Sequence, residues 1–244
     1  MGRKRGNNMQ RLDNLLAKQP GFSRKEAKKC IRAGRVAVNG QPAMLPELKI
    51  DPQTDTILLD GRLLDVKPHL TLMMNKPAGV LSASRDPKRQ TVVDLIPPHL
   101  KRRGMFPAGR LDRDTTGLLI LTDDGLLAHR MLAPRSHVPK VYEAVVDAPV
   151  TDGVIEAFAV GASLPDGTLC LPAGLRVVQR GEQSIVEVVL HEGKYHQVKR
   201  MFGAFGIGVV KLHRKQVGKL VLDGALQPGQ CRELTPLETQ FLLC

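Results

Sequence analysis

The sequence predicts an α+β protein. A small, basic α/β domain should come first, followed by a larger domain with a mixed, largely antiparallel sheet flanked by helices. Three observations predict this. Helix-period and strand-period segments are interspersed along the 244 residues. Turn dipeptides recur between apolar runs, at Asn39–Gly40, Asp60–Gly61 and Arg180–Gly181, and frequent hairpins argue against a doubly wound parallel sheet. The charge is uneven: residues 1–40 hold eleven Lys/Arg against two acids, and the rest of the chain holds 25 against 22. A formal net charge of +12 distributed in this way points to a polyanionic partner met mainly by the N-terminal sixth.

Composition narrows the class further. Six Phe, two Tyr and no Trp are too few for a single-strand binder built on many stacking platforms, so contacts to a nucleic acid should be mostly phosphate and shape. Cys30, Cys170, Cys231 and Cys244 are far apart and form no CxxC or Cys/His cluster. Neither zinc nor any other metal is expected, and free thiols suit a reducing, cytoplasmic setting. The opening MGRKRGNNMQ is basic but lacks the apolar stretch of a secretory signal, and no apolar run reaches membrane-spanning length. A cytoplasmic protein with no membrane partner is expected.

The elements follow in order. Residues 1–8 read as a basic flexible arm. Residues 10–19 place Leu12, Leu15 and Leu16 on one helical face, and Pro20–Gly21 ends that helix. Ser23 and Glu26 then form a capping-box pattern, with Gly34 closing the second helix. Ala27, Cys30 and Ile31 make its apolar stripe. Six of the twelve residues from Arg24 to Arg35 are basic and one is acidic (Arg24, Lys25, Lys28, Lys29, Arg32 and Arg35 against Glu26). A purely solvated helix would mix signs for i,i+4 pairing, so this face reads as a phosphate-binding one. Two hairpins follow, around Asn39–Gly40 and Asp60–Gly61, and 65–70 is a linker. Beyond it, LTLMMNK is a buried strand, 87–107 a surface loop with a short helix, and LLILT a strand. DGLLAHRML begins a helix, KVYEAVV is a strand and TDGVIEAFAVG a helix. A hairpin turns at Arg180–Gly181, GKYHQVKRMFGAFG is a helix with Tyr195, Val198, Phe202 and Phe205 inward, and VVKLHRKQV returns to strand.

Chemistry concentrates in residues 109–125, GRLDRDTTGLLILTDDG, where Asp112, Asp114, Asp123 and Asp124 surround a dry run. A calcium loop is one reading, but Asp123 stands where a bidentate Glu is needed and the residues after Gly117 are strand-like rather than helical. The DxDxT spelling of a Mg-dependent phosphatase is a second, but there the apolar strand precedes the acids and here it follows them. A solvated turn suits Asp114, Asp123 and Asp124. It explains Asp112 less well, since Asp112 lies between Arg110 and Arg113 in the most polar part of the loop. The fourth reading is a lone aspartate acting on a nucleobase.

This stretch closely resembles the signature of pseudouridine synthases that act on ribosomal RNA. MNKPAGVLSAS, KVYEAVV and EGKYHQVKRMFGAFG agree with it in order. Residues 9–67, with RLDNLLAK, SRKEAKKCIRAGRVAVNG and the Asp60–Gly61 hairpin, resemble an S4 RNA-binding domain, leaving 70–244 as the catalytic domain. The YHQVKRMF form is most similar to the small-subunit, 16S branch. The resemblance implies base flipping and isomerisation of one uridine without cofactor. It implies Asp112 as the catalytic carboxylate, Tyr142 stacked on the flipped base, Lys199 paired with Asp112, and Arg110 filling the gap in the RNA. Lys199 and Arg200 both remain candidates for the pairing, and His196 has no required role. Arg85, Lys88, Arg89, Lys101, Arg102 and Arg103 would extend the phosphate track. The implied partner is ribosomal RNA or a pre-ribosomal small subunit, met by a monomer. A non-enzymatic RNA-binding or assembly protein is the competing class.

Overall fold

The computed structural model describes residues 9–19, 22–52, 54–64 and 67–243. The arm at 1–8, the Pro20–Gly21 stop and residues 65 and 66 of the linker lie outside the described residues. The chain packs as two units. One comprises residues up to Leu70 with Pro97–Gly104; the other comprises Thr71–Ile96 with Met105 onward.

The first unit opens with strand β1 (Gln10–Arg11) and helix α1 (Leu12–Leu16), shorter than the ten residues its apolar stripe suggests. Helix α2 (Arg24–Arg32) has the predicted capping box: Glu26 N–H donates to Ser23 Oγ at 3.2 Å, and Ser23 N–H to Glu26 Oε2 at 2.7 Å. Such a cap contributes about 1 kcal/mol. Strands β2 (Val36–Val38), β3 (Gln41–Pro42), β4 (Lys49–Ile50), β5 (Ile57–Leu59) and β6 (Arg62–Leu63) follow. Strand β4 pairs with β1, and the rest form a sheet ordered β3-β2-β5-β6. Both hairpins turn where expected, with Asn39, Gly40, Asp60 and Gly61 all at positive φ. Leu12, Leu15, Leu16, Ala27, Cys30, Ile31, Val36 and Ile57 form the core. The 97–104 segment belongs here because the buried Arg102 guanidinium donates to Lys67 O at 3.1 Å and to Gln19 Oε1 at 3.2 Å. A guanidinium buried in this way cannot face solvent phosphate, which corrects the expectation for Arg102.

The second unit is built on a nine-stranded sheet. Its strands are β7 (Thr71–Lys76), β8 (Phe106–Pro107), β9 (Thr116–Thr122), β10 (Lys140–Val146), β11 (Gly174–Gln179), β12 (Ser184–Leu190), β13 (Val209–Val217), β14 (Leu220–Val221) and β15 (Cys231–Glu233). The order is β11-β12-β10-β13-β9-β7-β15, with β14 on β13 and β8 on β9. All pairings are antiparallel among the described residues except β13–β9, so the sheet is mixed and largely antiparallel as predicted. Helices α3 (Gly125–Leu132), α4 (Asp152–Val160), α5 (Gln197–Gly203) and α6 (Pro236–Phe241) complete the unit. Asp124 caps α3 by accepting from Leu126 N–H and Leu127 N–H, which confirms the turn-and-helix-start reading of that acid. No helix forms between residues 77 and 105, where a short one was expected. Leu118–Leu121 are fully buried, which explains the dry run: it is the centre of the sheet.

Candidate active site

The Asp112 loop is fixed from below. It connects β8 to β9, and it is clamped by the segment leaving β7. Lys76 ends β7 with no exposed surface. Its ammonium donates to Pro77 O at 2.9 Å, Arg113 O at 3.2 Å and Thr115 O at 2.9 Å, so all three of its donors are used. Burial pushes this ammonium down to about 8, against the upward pull of Asp114 and Asp112. The loop is also held by Gly79 N–H to Arg113 O at 2.7 Å and by Ser82 Oγ to Leu111 O at 2.8 Å.

The opposite wall comes from β10, β13 and α5. Glycine at 117 lets β13 come close, since a Cβ there would stand 2.3 Å from Arg214 O. The residue sits at φ +101°. An irregularity in the β10–β13 register between Val141 and Tyr142 puts Tyr142 opposite Arg214, and such bulges re-aim side chains. The Arg214 guanidinium lies 6.0 Å from the centre of the Tyr142 ring, and its Nε donates to Leu118 O at 2.8 Å. Tyr142 is buried but lines the cleft.

Before α5, buried Gln197 braces the 192–197 turn: its Nε2 donates to Glu192 Oε1 at 2.7 Å, and its Oε1 accepts from Lys194 N–H at 2.9 Å. That brace leaves His196 in the left-handed region, φ 48°, with Nε2 3.4 Å from Asp112 Oδ1. Lys199, in the first turn of α5, places Nζ 3.8 Å from Asp112 Oδ2 and 2.6 Å from Asp114 Oδ2. The Lys199 ammonium holds the Asp114 carboxyl below the usual carboxylate range. Arg200 turns away to Asp166 at 2.5 Å, so of the two candidates Lys199 is the cation that reaches Asp112.

Arg110, Asp112, Thr115, Tyr142, His196 and Val198 are among the residues lining one open cleft. No group of three or more His, Cys, Asp or Glu among the described residues could hold a metal ion. The arrangement presents one carboxylate flanked by an imidazole and an ammonium, beside a flat aromatic ring.

Residues 70–204 match the RNA pseudouridylate synthase family, and residues 10–55 match the S4 domain. The chain belongs to the RNA pseudouridylate synthase family. A protein of Bacillus subtilis named as an uncharacterized RNA pseudouridine synthase is 44% identical, over 95% of this chain and 98% of its own. The ribosomal small subunit pseudouridine synthase A of Escherichia coli is 39% identical, over 93% of this chain and 97% of its own. A crystal structure of a pseudouridylate synthase, 36% identical, superposes with a TM-score of 0.67 and covers 95% of this chain and 99% of that one. The chain is thus an isomerase of the pseudouridine synthase class, with an S4 domain ahead of the catalytic one.

In this synthase the S4-like helix α2 buries Ala27, Cys30 and Ile31 and leaves Arg24, Lys25, Lys28, Lys29 and Arg32 exposed. Arg35 is exposed but engaged, forming a two-pronged pair with Asp60 at 2.7 and 2.5 Å. Three site residues were missed by the sequence reading. Lys76 signalled itself as a lone cation in a dry strand before Pro77. Asp114, read as architecture, is the nearest partner of Lys199. His196, given no role, faces Asp112. Tyr195 and Phe205, expected inward, are 67% and 41% exposed.

Proposed function

We propose that the protein isomerises a specific uridine of small-subunit ribosomal RNA, with Asp112 as its catalytic carboxylate. The observation that carries this reading is the convergence of Asp112, Tyr142, His196 and Arg110 on one cleft, with Lys199 3.8 Å from the carboxylate. Its support on the substrate side is the relation to the small-subunit synthases over nearly the whole chain.

The chemistry breaks N1–C1′, turns the base and joins C5 to C1′. It is redox-neutral, and the proton on C5 is exchanged for one on N1. A uracil in folded RNA must first leave its stack, at a cost of a few kcal/mol. Tyr142 offers its ring to the flipped base, Arg110 occupies the vacated space, and Lys199 and His196 keep positive or hydrogen-bonding groups beside the Asp112 carboxylate. Asp112 acts either as nucleophile at the sugar or base or as the base that removes a sugar proton. Helix α2 supplies phosphate contacts through Arg24, Lys25, Lys28, Lys29 and Arg32, with Arg35 bracing the hairpin next to it and Arg200 bracing the α5 side. In this reading the protein acts as a monomer. A ribosomal substrate supports cytoplasmic action, on free RNA or on an assembling subunit. No helix among the described residues is long and apolar enough to cross a membrane.

The test is Asp112→Asn assayed on a small-subunit rRNA transcript labelled with tritium at uridine C5, since isomerisation releases that label to water. Release should vanish while RNA affinity stays within about twofold. A wild-type protein that releases no tritium from the transcript, free or assembled with small-subunit proteins, or an Asp112→Asn protein that still does, removes the reading.

A further inference from the structure

We infer that Tyr195 and His196 form a stacking platform for a nucleobase next to the flipped uridine, a subsite at the mouth of the Asp112 cleft. The inference rests on RNA being the substrate of that cleft.

Tyr195 is one of only two tyrosines in the chain. It is 67% exposed, whereas Tyr142 is 8% exposed. Its ring is parallel to the His196 imidazole, with centroids 3.8 Å apart and planes at 17°. The same imidazole reaches Asp112 through Nε2 at 3.4 Å. The pair therefore forms a short stack that starts at the catalytic carboxylate and ends in solvent. The left-handed backbone at His196 permits the two neighbouring rings to lie on one another. Lys194, Gln197 and Glu192 fix the turn that carries them, so the platform is built before any ligand arrives.

At this exposure Tyr195 is not a core residue, and its ring contact is with His196. Its position has an obvious use. When a uridine leaves an RNA stack, its neighbours lose a stacking face. An aromatic face at the mouth of the cleft replaces it, and every base has a π-face, so the contact is tolerant of sequence. Arg110 lines the same cleft and offers a cation to a phosphate beside such a base.

Tyr195→Ala and Tyr195→Phe decide the matter with the tritium-release assay on the same transcript, with wild-type turnover required first. If wild type is inactive, the functional reading fails and not this one. Tyr195→Ala should raise KM about tenfold or more, as expected for one lost base–aromatic stack, with kcat within about threefold. Tyr195→Phe, which keeps the ring, should match wild type within about twofold. Thermal melting of the full chain should be unchanged for both. An unchanged KM for Tyr195→Ala overturns the platform. A fall in kcat alone also overturns it, and assigns Tyr195 to holding His196 against Asp112. Equal impairment by both variants points to the hydroxyl and likewise overturns stacking.

Discussion

The Lys199 ammonium lies 2.6 Å from Asp114 and 3.8 Å from Asp112. One cation thus serves two carboxylates, and in this arrangement it is bonded to the more exposed one. Asp112 keeps Lys199 as a neighbour without surrendering its lone pairs to a tight salt bridge, which suits a carboxylate that must react.

Removing the cation and removing its second acid should differ in kind. Lys199→Ala leaves Asp112 without its nearest strong positive charge, and kcat should fall about a hundredfold, the scale of losing one aligned electrostatic partner. Asp114→Asn breaks a pair whose acid is 71% exposed. Exposed pairs contribute at most about 1 kcal/mol, so urea unfolding should shift by less than that, and kcat should change by less than about fivefold. Tritium-release kinetics and urea titration check both.

Lys76 should connect stability to alkaline pH. Its ordinary value is 10.5 and burial brings it to about 8 in the fold. The folded chain therefore sheds this proton at lower pH than the unfolded chain. Between about pH 8 and 10.5 the unfolded state binds more protons, so this group's contribution makes stability rise with pH across that window. Below about pH 8 both states are protonated and the cost of burying the charge is fully present. Lys76→Met should lack that rise, so the stability difference between wild type and variant should grow with pH across the window. It should also orphan three carbonyl acceptors and destabilise the protein by about 2–4 kcal/mol near neutrality. Denaturant midpoints measured from pH 7 to 10 for both proteins give the answer.

The basic face of α2 should act on binding and not on chemistry. Single Ala substitutions at Lys25, Lys28 or Lys29 should each reduce the log–log salt slope of RNA affinity by up to about one unit, with kcat unchanged at saturating RNA. Arg35→Ala should change the slope less, because Asp60 already neutralises that guanidinium. Filter binding over a range of salt concentrations distinguishes these outcomes.

Much of this could be read from the residues. Period and turn chemistry located α2, both N-terminal hairpins, the buried β9 and the Asp124 cap, because those features are set by neighbours within a few positions. Asp112, Tyr142 and Lys199 were named from sequence, and the fold brings Asp112 and Tyr142 into one cleft with Lys199 beside the acid. Most of the misses were non-local. Asp114 and Lys199 are 85 residues apart, so no local pattern shows that one holds the other. Helical periodicity placed Tyr195 inward, but α5 begins only at Gln197, and before it the chain follows a braced turn that directs the ring outward. Arg102 resembled the surface cations around it, and only the packing of 97–104 on Lys67 and Gln19 reveals it as buried.

The parallel contact between β9 and β13 is short, registered at His213–Thr116 and Arg214–Gly117. It divides the sheet into two antiparallel blocks, one carrying the Asp112 loop and the other carrying Tyr142 and the approach to α5. Each block is antiparallel within itself, yet neither owns a complete set of reactive groups. Catalytic competence is therefore a property of the seam: a side chain at 117 would meet the Arg214 backbone and push the two reactive halves apart.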